Sequence, residues 1–476
     1  MKPALVWLLA ATTPVFAGSV FISGNLVVSV EGNGQQTAGV TYTSNQAAPL
    51  SLYQFTTAGS LVNTFTLPQI ASGNNLAVSG EYGSSSEGAL QLSSDGRYLT
   101  LGGYGVNADA FNANPGSYSA VSTNTALAQS GSLTGLSYTP VARVAALIDS
   151  NGGVDSSTAV YNIYNGNNIR SVATADGVNL YLSGQGTSPD LTGGVFYTTD
   201  GSSSAVSITG KDTNSKTTNQ DTRIVEIYNN TLYVSVDSRE GSGSNRSFVG
   251  TLGAPPSTTL YNANNGPTQL AGTGTSTGKY TTTALTGNAF NAGLQINLSP
   301  EGYFFANSTT LYIADSGDGK QTSATSPAGD GGLQKWSFSS GTWNLDYTLY
   351  QGLNLVKNPV FDNTVTSGTT GLQALTGHVD SNGNVELFAT NYTVNGTDQT
   401  YLYGITDTLA ATTLAADLNS HTFTTLATAP TDTTFKGVSF APTVDPVPEP
   451  ATLFVSGSAL LFLAGLRRRT VHNAAK

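Results

Sequence analysis

The chain has 476 residues and a net charge of −11, with only 10% charged residues, 54 glycines, 22 tyrosines, 18 phenylalanines and no cysteine. The missing thiol excludes disulfides, Cys-ligated metal centres and thiolate nucleophiles. An acidic balance without a clustered basic patch argues against nucleic acid as a partner.

Residues 1–17, MKPALVWLLAATTPVFA, place one lysine before an apolar run from Ala4 to Ala11, then Pro14 and small residues to Ala17. That order predicts a signal peptide read by the secretion translocon, with cleavage between Ala17 and Gly18. The run is too short for a spanning helix, which needs about 20 apolar residues. Five of the 18 bases lie in the terminal segments, so the body at 18–445 is more acidic than the whole. Such a body repels its own copies and stays in solution outside the cell.

Within that body Val, Ile, Thr and Tyr recur in short bursts between Gly, Asn, Asp and Ser, which predicts many short strands joined by tight turns. One phrase recurs loosely: an apolar strand, often opened by Gly or Arg and a small residue, a turn, then an aromatic-rich strand. Its clearest copy is GALQLSSDGRYLTLGGYG at 88–105, where Asp95-Gly96 is a hairpin signal. Other copies span 170–186, 223–238, 293–317 and 371–392, with a weaker one at 143–166. Repeats of this kind predict an all-β fold, a β-propeller. Lys436-Gly437-Val438-Ser439-Phe440 resembles the opening strand of the phrase with no partner after it, whereas GNLVVSVEG (24–32) begins mid-phrase. One blade built from both ends explains both fragments and protects the open edges. Counting that blade gives seven; six with larger insertions fit the same spacing. A pair of β-sandwiches or a β-helix are the competing solutions, the β-helix last because it needs a tighter repeat. The low-complexity stretches 242–245, 271–283 and 318–332 read as exposed loops, and no helix of consequence is predicted before residue 451.

The last segment, 446–476, contains Pro448-Glu449-Pro450, an uncharged apolar stretch over 451–466, and Arg467-Arg468-Arg469. The prolines delay helix formation until after the triplet. The 16-residue stretch, as a transmembrane helix, reaches about 24 Å, close to the thickness of a bilayer core. The arginines stay cytoplasmic, leaving the body outside the membrane. Triplet, span and arginines in this order resemble the PEP-CTERM sorting signal of bacterial surface proteins. The resemblance implies that an exosortase-type enzyme recognises Pro448, Glu449 and Pro450 and removes the span, releasing the body toward the cell surface or an exopolysaccharide matrix. A plain anchor that is never processed is the competing reading.

Candidate chemistry is sparse. Gly274-Thr275-Ser276-Thr277-Gly278 fits the GxSxG pattern of hydrolases but lacks the preceding buried strand and following helix that such an elbow requires. His378 and His421 are the body's histidines and read as structural. Asp380, Asn382, Asn384 and Glu386 alternate around Gly383 as calcium ligands do, although Asp, Asn and Gly are also what hairpin turns demand. The sequence 149–155 is a looser version and 315–318 looser again. No catalytic set is assigned, and calcium is the one cofactor carried forward. The sequence therefore points to a non-enzymatic surface or matrix protein with a structural or carbohydrate-binding role. The alternative is an extracellular enzyme acting on glycans or lactones at a propeller channel. Ice binding would need a flat, regular Thr array, and the threonines here are irregular.

Overall fold

The computed structural model describes residues 20–32, 41–187, 190–209, 221–237, 247–255, 266–275, 298–317, 331–356 and 364–444. The signal segment with Ala17 and Gly18, and the tail with Pro448, Glu449, Pro450, the 451–466 stretch and Arg467 to Arg469, lie outside them. Two units, 1–443 and 444–476, divide the chain, and every described strand belongs to the first.

The chain opens with β1 (Leu26–Gly32), β2 (Ala47–Phe55), β3 (Leu61–Thr66) and the short β4 (Ser79–Glu81). Next come β5 (Leu90–Leu92) and β6 (Tyr98–Tyr104), the one-and-a-half-turn α1 (Ala108–Ala113), then β7 (Arg143–Asp149) and β8 (Val154–Val160). Three four-stranded meanders follow: β9 (Ile169–Thr174), β10 (Asn179–Gly184), β11 (Gly194–Thr199) and β12 (Val206–Ser207); β13 (Thr222–Tyr228), β14 (Thr231–Asp237), β15 (Ser247–Gly253) and β16 (Thr268–Thr275); β17 (Pro300–Asn307), β18 (Thr310–Asp315), β19 (Gly332–Ser339) and β20 (Thr342–Leu349). The last meander is β21 (Thr369–Val379), β22 (Asn384–Thr393), β23 (Tyr401–Thr408) and β24 (Thr424–Thr428), after which β25 (Thr433–Phe440) returns to pair with β1.

All pairings between these strands are antiparallel, and the fold is all-β. β25-β1-β2-β3 and β5-β6-β7-β8 are the first two blades, joined into one nine-stranded sheet because β4 bridges β2 and β6. The remaining four sheets have four strands each. β25, β5, β9, β13, β17 and β21 pack side by side in that cyclic order, so the blades close into a propeller-like ring. Closure pairs Leu26 with Phe440, Val28 with Val438 and Gly32 with Thr433. This is the blade expected from the two fragments 24–32 and 436–440.

Six blades are found among the described residues where the repeat count suggested seven. The weak copy at 143–166 is not a blade: its strands β7 and β8 are the outer half of the blade begun by 88–105. A 38-residue insertion, 105–142, separates the halves and hides their continuity. The core lies between blade faces, because each sheet is covered by its neighbours. Tyr312, Tyr347 and Leu349 of the fifth blade pack with Leu372, Leu387 and Tyr403 of the sixth. Each fully buried side chain of this size contributes about 1.5–3 kcal/mol. The predicted loop 271–283 is partly strand, since β16 runs to Thr275.

Candidate functional site

Five of the six innermost strands carry a register break near the start. Opposite it the chain skips Arg170 in β9, Arg223-Ile224 in β13, Glu301-Gly302 in β17, Gln373-Ala374 in β21 and Lys436-Gly437 in β25. Glu87-Gly88 takes the equivalent place ahead of β5. Bulges re-aim side chains and kink the strand. Here they give each blade one polar residue at the upper end of the axis: Glu87, Arg170, Arg223, Glu301, Gln373 and Lys436. All six are buried. Glycines after three of them, Gly88, Gly302 and Gly437, let neighbouring inner strands close up. A Cβ on Gly437 would lie 2.2 Å from Leu90 N, and one on Gly302 2.8 Å from Leu375 N.

The collar is electrostatically coupled. Arg223 lies 3.2 Å from Asp221, 3.7 Å from Asp237 and 3.4 Å from Glu301, while Arg170 contacts Asp221. Burial and the neighbouring Arg223 lower Arg170 to about 9, so it stays cationic at neutral pH. Burial opposes the charge of Arg223 as well, but Glu301 and Asp237 outweigh it and raise its pKa. Gln373 Nε2 donates to the Glu87 carbonyl at 3.3 Å, tying the second blade to the sixth. Buried charges of this kind survive only when paired, and the collar pairs them.

Beside the collar, three carboxyls meet between the first two blades. Lys436 Nζ is 3.6 Å from Glu31 Oε2 and also donates to the Ser84 carbonyl. Burial raises Glu31 to about 8 despite Lys436. Glu81 is raised to about 9, by burial first and by Glu87 second, although its Oε2 accepts from Ala128 N at 2.5 Å. Burial also raises Glu87, against hydrogen bonds donated by Tyr104 Oη and the Glu81 amide and, at 2.5 Å, by Asn168 Nδ2. Glu31 and Glu81 are therefore largely protonated at neutral pH.

Glu81 and Asn168 also line a cavity of about 600 Å³ under the 105–142 insertion. Its other polar walls include Asn45, Asn124, Gln129, Tyr138 and Asn165, and no Lys or Arg is among its lining residues. Arg143 holds the cavity together. Fully buried, it stacks 4.7 Å over the Tyr104 ring and donates to the carbonyls of Val141, Ser130, Ala128, Tyr164 and Asn167 at 2.8–3.3 Å. A planar fork of five donors suits such a task. Two of those carbonyls, Ala128 and Asn167, belong to residues of the cavity wall.

The residues singled out in the sequence are placed elsewhere. Asp380 Oδ1 accepts from the amides of Asn382 and Asn384, both at 2.8 Å, and Oδ2 from Asn384 Nδ2 at 2.9 Å. Asn384 Oδ1 accepts from Asn419 at 3.2 Å. Glu386 sits outside this turn, opposite His378 across the β21–β22 ladder and 3.6 Å from its Nε2. Asp380, Asn382 and Asn384 thus form a hairpin turn in which the oxygens of Asp380 and Asn384 are already engaged. Among the described residues no group of three or more His, Cys, Asp or Glu could hold a metal ion. Asp149 organises its own turn in the same way, accepting from Asn151 and Gly153. Asp315 accepts from Ser299, Gly317 and Gln334. Gly274 and Thr275 end the outermost strand of their blade, and Ser276 lies outside the described residues. His421 Nε2 is 3.4 Å from Asp417 Oδ2, remote in sequence from every collar residue but Lys436. The collar itself was half visible in the sequence, as the Arg and Gly that open the repeated phrase.

No family model matches the chain, and no curated protein matches it. Among solved structures it is similar to an ulvan lyase of a polysaccharide lyase family (TM-score 0.36, 11% identity, 88% of this chain and 87% of that one). It is also similar to an oligogalacturonate lyase in complex with manganese (TM-score 0.33, 11% identity, 75% and 74%). A mutant apocarotenoid oxygenase from Synechocystis is a further neighbour (TM-score 0.32, 8% identity, 90% and 94%). Likenesses this distant carry no argument about chemistry, which is left to the residues of the site.

Proposed function

We propose that this chain is an exported surface or extracellular-matrix protein whose body binds extracellular polysaccharide without transforming it. The observation that carries the binding reading is the 600 Å³ cavity held by Arg143, walled by Asn, Gln, Thr, Ser and Tyr with no basic lining residue. Amides and hydroxyls beside one aromatic ring suit a neutral, polyhydroxylated ligand; an anionic glycan would lack a counter-charge there. The export reading is supported by the apolar run before Ala17 and by the Pro448-Glu449-Pro450, apolar and triple-arginine tail. In this reading an exosortase-type enzyme processes the tail.

The test is retention of the mature protein on neutral and on anionic polysaccharide columns. Wild type is expected to be retarded on the neutral matrix. Gln129→Trp, which narrows the cavity from an exposed wall position, is expected to be retarded clearly less. Equal retention of both proteins would overturn the reading. Replacing Pro448, Glu449 and Pro450 with alanine tests the sorting arm: the variant is expected to keep its tail and stay with the membrane fraction.

One observation favours the enzymatic alternative. Glu81, protonated at neutral pH, stands on the cavity wall and feels the charge of Glu87, whose carboxyl accepts from the Glu81 amide at 3.3 Å, as a general acid near a second carboxyl would. Polymer cleavage lost in Glu81→Gln, with binding retained, would move the assignment to a glycan-acting enzyme.

A further inference from the structure

Directly beneath the collar, starting at Ile224, Gly302 and Ala374, lies a second cavity, of about 210 Å³, lined by β5, β13, β17, β21 and β25. Since five of the six inner strands contribute, it is the axial channel below the collar. Its walls are mainly apolar and include Leu90, Leu92, Phe304 and Phe440. One carboxyl, that of Glu226, enters this lining from the middle of β13, with Tyr303 as its other titratable residue. Its carboxyl has no hydrogen-bond or ion-pair partner among the described residues. The charged groups nearest in sequence on its own and the neighbouring inner strand, Arg223 and Glu301, belong to the collar and pair with each other at 3.4 Å. The hydroxyls of Tyr233 and Tyr303 are the titratable groups that feel its charge. The buried carboxyls described above all have a donor or a cation, whereas Glu226 is half-buried. A lone carboxyl in apolar walls is costly to keep, and the fold gains nothing structural from it.

We propose that this channel cavity binds a small organic ammonium ion, with the Glu226 carboxylate as its counter-ion and the rings of Phe304 and Phe440 against its apolar body. The chemistry selects this class. A calcium or magnesium ion needs six or more oxygens, and the lining offers one carboxylate with the side chains of Gln91, Thr376 and Ser439. An alkylammonium brings its own apolar surface to apolar walls, and its charge is favoured by both carboxylate and aromatic rings. Burial raises Glu226 to about 8, so at neutral pH the empty site holds a proton. The carboxyl gives that proton to the buffer as the cation enters, and charge is conserved.

The test is calorimetric titration of the mature protein at pH 7 with n-butylammonium and with 1-butanol, its neutral counterpart, in two buffers of different ionisation enthalpy. Butylammonium is expected to bind with release of close to one proton and at least about tenfold more tightly than butanol. Glu226→Gln is expected to lose that preference while keeping the thermal transition. Thr376→Phe, which fills the cavity and leaves the carboxyl in place, is expected to lose both ligands. Amine and alcohol binding alike, a Glu226→Gln variant that binds butylammonium as wild type does, or no binding up to about 10 mM would each overturn the proposal. None of these outcomes bears on the cavity under the 105–142 insertion, so the two readings fail separately.

Discussion

The Ser235 hydroxyl of β14 donates at 2.7 Å to the carbonyl of Glu301, the collar residue of the following blade. The same latch recurs around the ring. Ser183 donates to the Arg223 carbonyl, Thr390 to that of Lys436, Ser29 to that of Gly88, and Thr100 to that of Val172. In four of the five the hydroxyl comes from the second strand, opposite the residues skipped in the first. The bulge that aims the collar side chain inward also frees a carbonyl, and the next-door hydroxyl satisfies it. At the fifth blade Ala314 occupies this place, and Thr370 of the sixth reaches back to the Ser316 carbonyl at 2.9 Å instead. Ser235→Ala leaves the Glu301 carbonyl buried without its hydroxyl, which should cost about 1–3 kcal/mol in urea unfolding, with Ser235→Thr recovering most of it.

Arg143→Lys keeps the charge but cannot reach five carbonyls at once. The Ala128 carbonyl then loses the guanidinium in a buried site, and the carbonyls of Ser130 and Tyr164 keep only the amides of Gly166 and Asn167. Global stability should fall by about 2 kcal/mol or more, and amides of residues 119–142 should exchange faster than those of the other blades. Intact protection over this segment would show that the insertion holds itself.

Stability should decline as pH rises from mildly acidic to mildly basic. Glu31 is raised to about 8 and Glu81 to about 9, both chiefly by burial. The folded state therefore binds their protons more tightly than the unfolded chain. Their contribution is complete below the ordinary carboxylate range and is lost as pH climbs through about 8–9, a change on the order of a few kcal/mol. Melting temperatures across pH 5–9 should fall in wild type and fall less steeply in Glu31→Gln and in Glu81→Gln, where Glu87 and Glu226 keep part of the slope. A wild-type profile rising over that range contradicts the assignment.

Between the fifth and sixth blades, fully buried Lys335 donates to Asp407 at 2.7 Å, and Asp407 also accepts from Tyr312 and, at 2.6 Å, from Tyr347. Lys335→Met strands a buried carboxylate and should cost about 3–5 kcal/mol. Adding Asp407→Leu should recover only part, because two tyrosine hydroxyls lose their acceptor. Full recovery in the double variant would mean that the tyrosines find other partners.

The parts of the fold written into short stretches of sequence were legible. Asp95-Gly96 turns the 88–105 hairpin, with Gly96 at φ +76° and its amide on the Ser93 carbonyl at 2.8 Å. The closing strand at 436–440 was recognisable by its missing partner. The second blade was not legible, because residues 105–142 break its meander between β6 and β7, and only spatial pairing of Tyr98–Tyr104 with Arg143–Asp149 restores it. The cavity that Glu81 and Asn168 share with residues 119–138 is walled largely by that same insertion, so it was hidden for the same reason. Arg143 was visible only as the opening of a weak repeat, since nothing in the order of residues shows that the carbonyls of Ala128, Ser130, Tyr164 and Asn167 converge on it. Glu226 was invisible too: inside TRIVEIY it reads as the polar face of an alternating strand, and the ring closure alone turns that face into a channel wall.

Hydrogen exchange of the mature protein with and without bound neutral polysaccharide tests the central claim most directly. New protection is expected at residues 119–131 and 164–168, the walls gathered by Arg143, and should be clearly weaker in Gln129→Trp. Protection confined to other blades, or none under conditions where the polysaccharide is bound, would contradict the account.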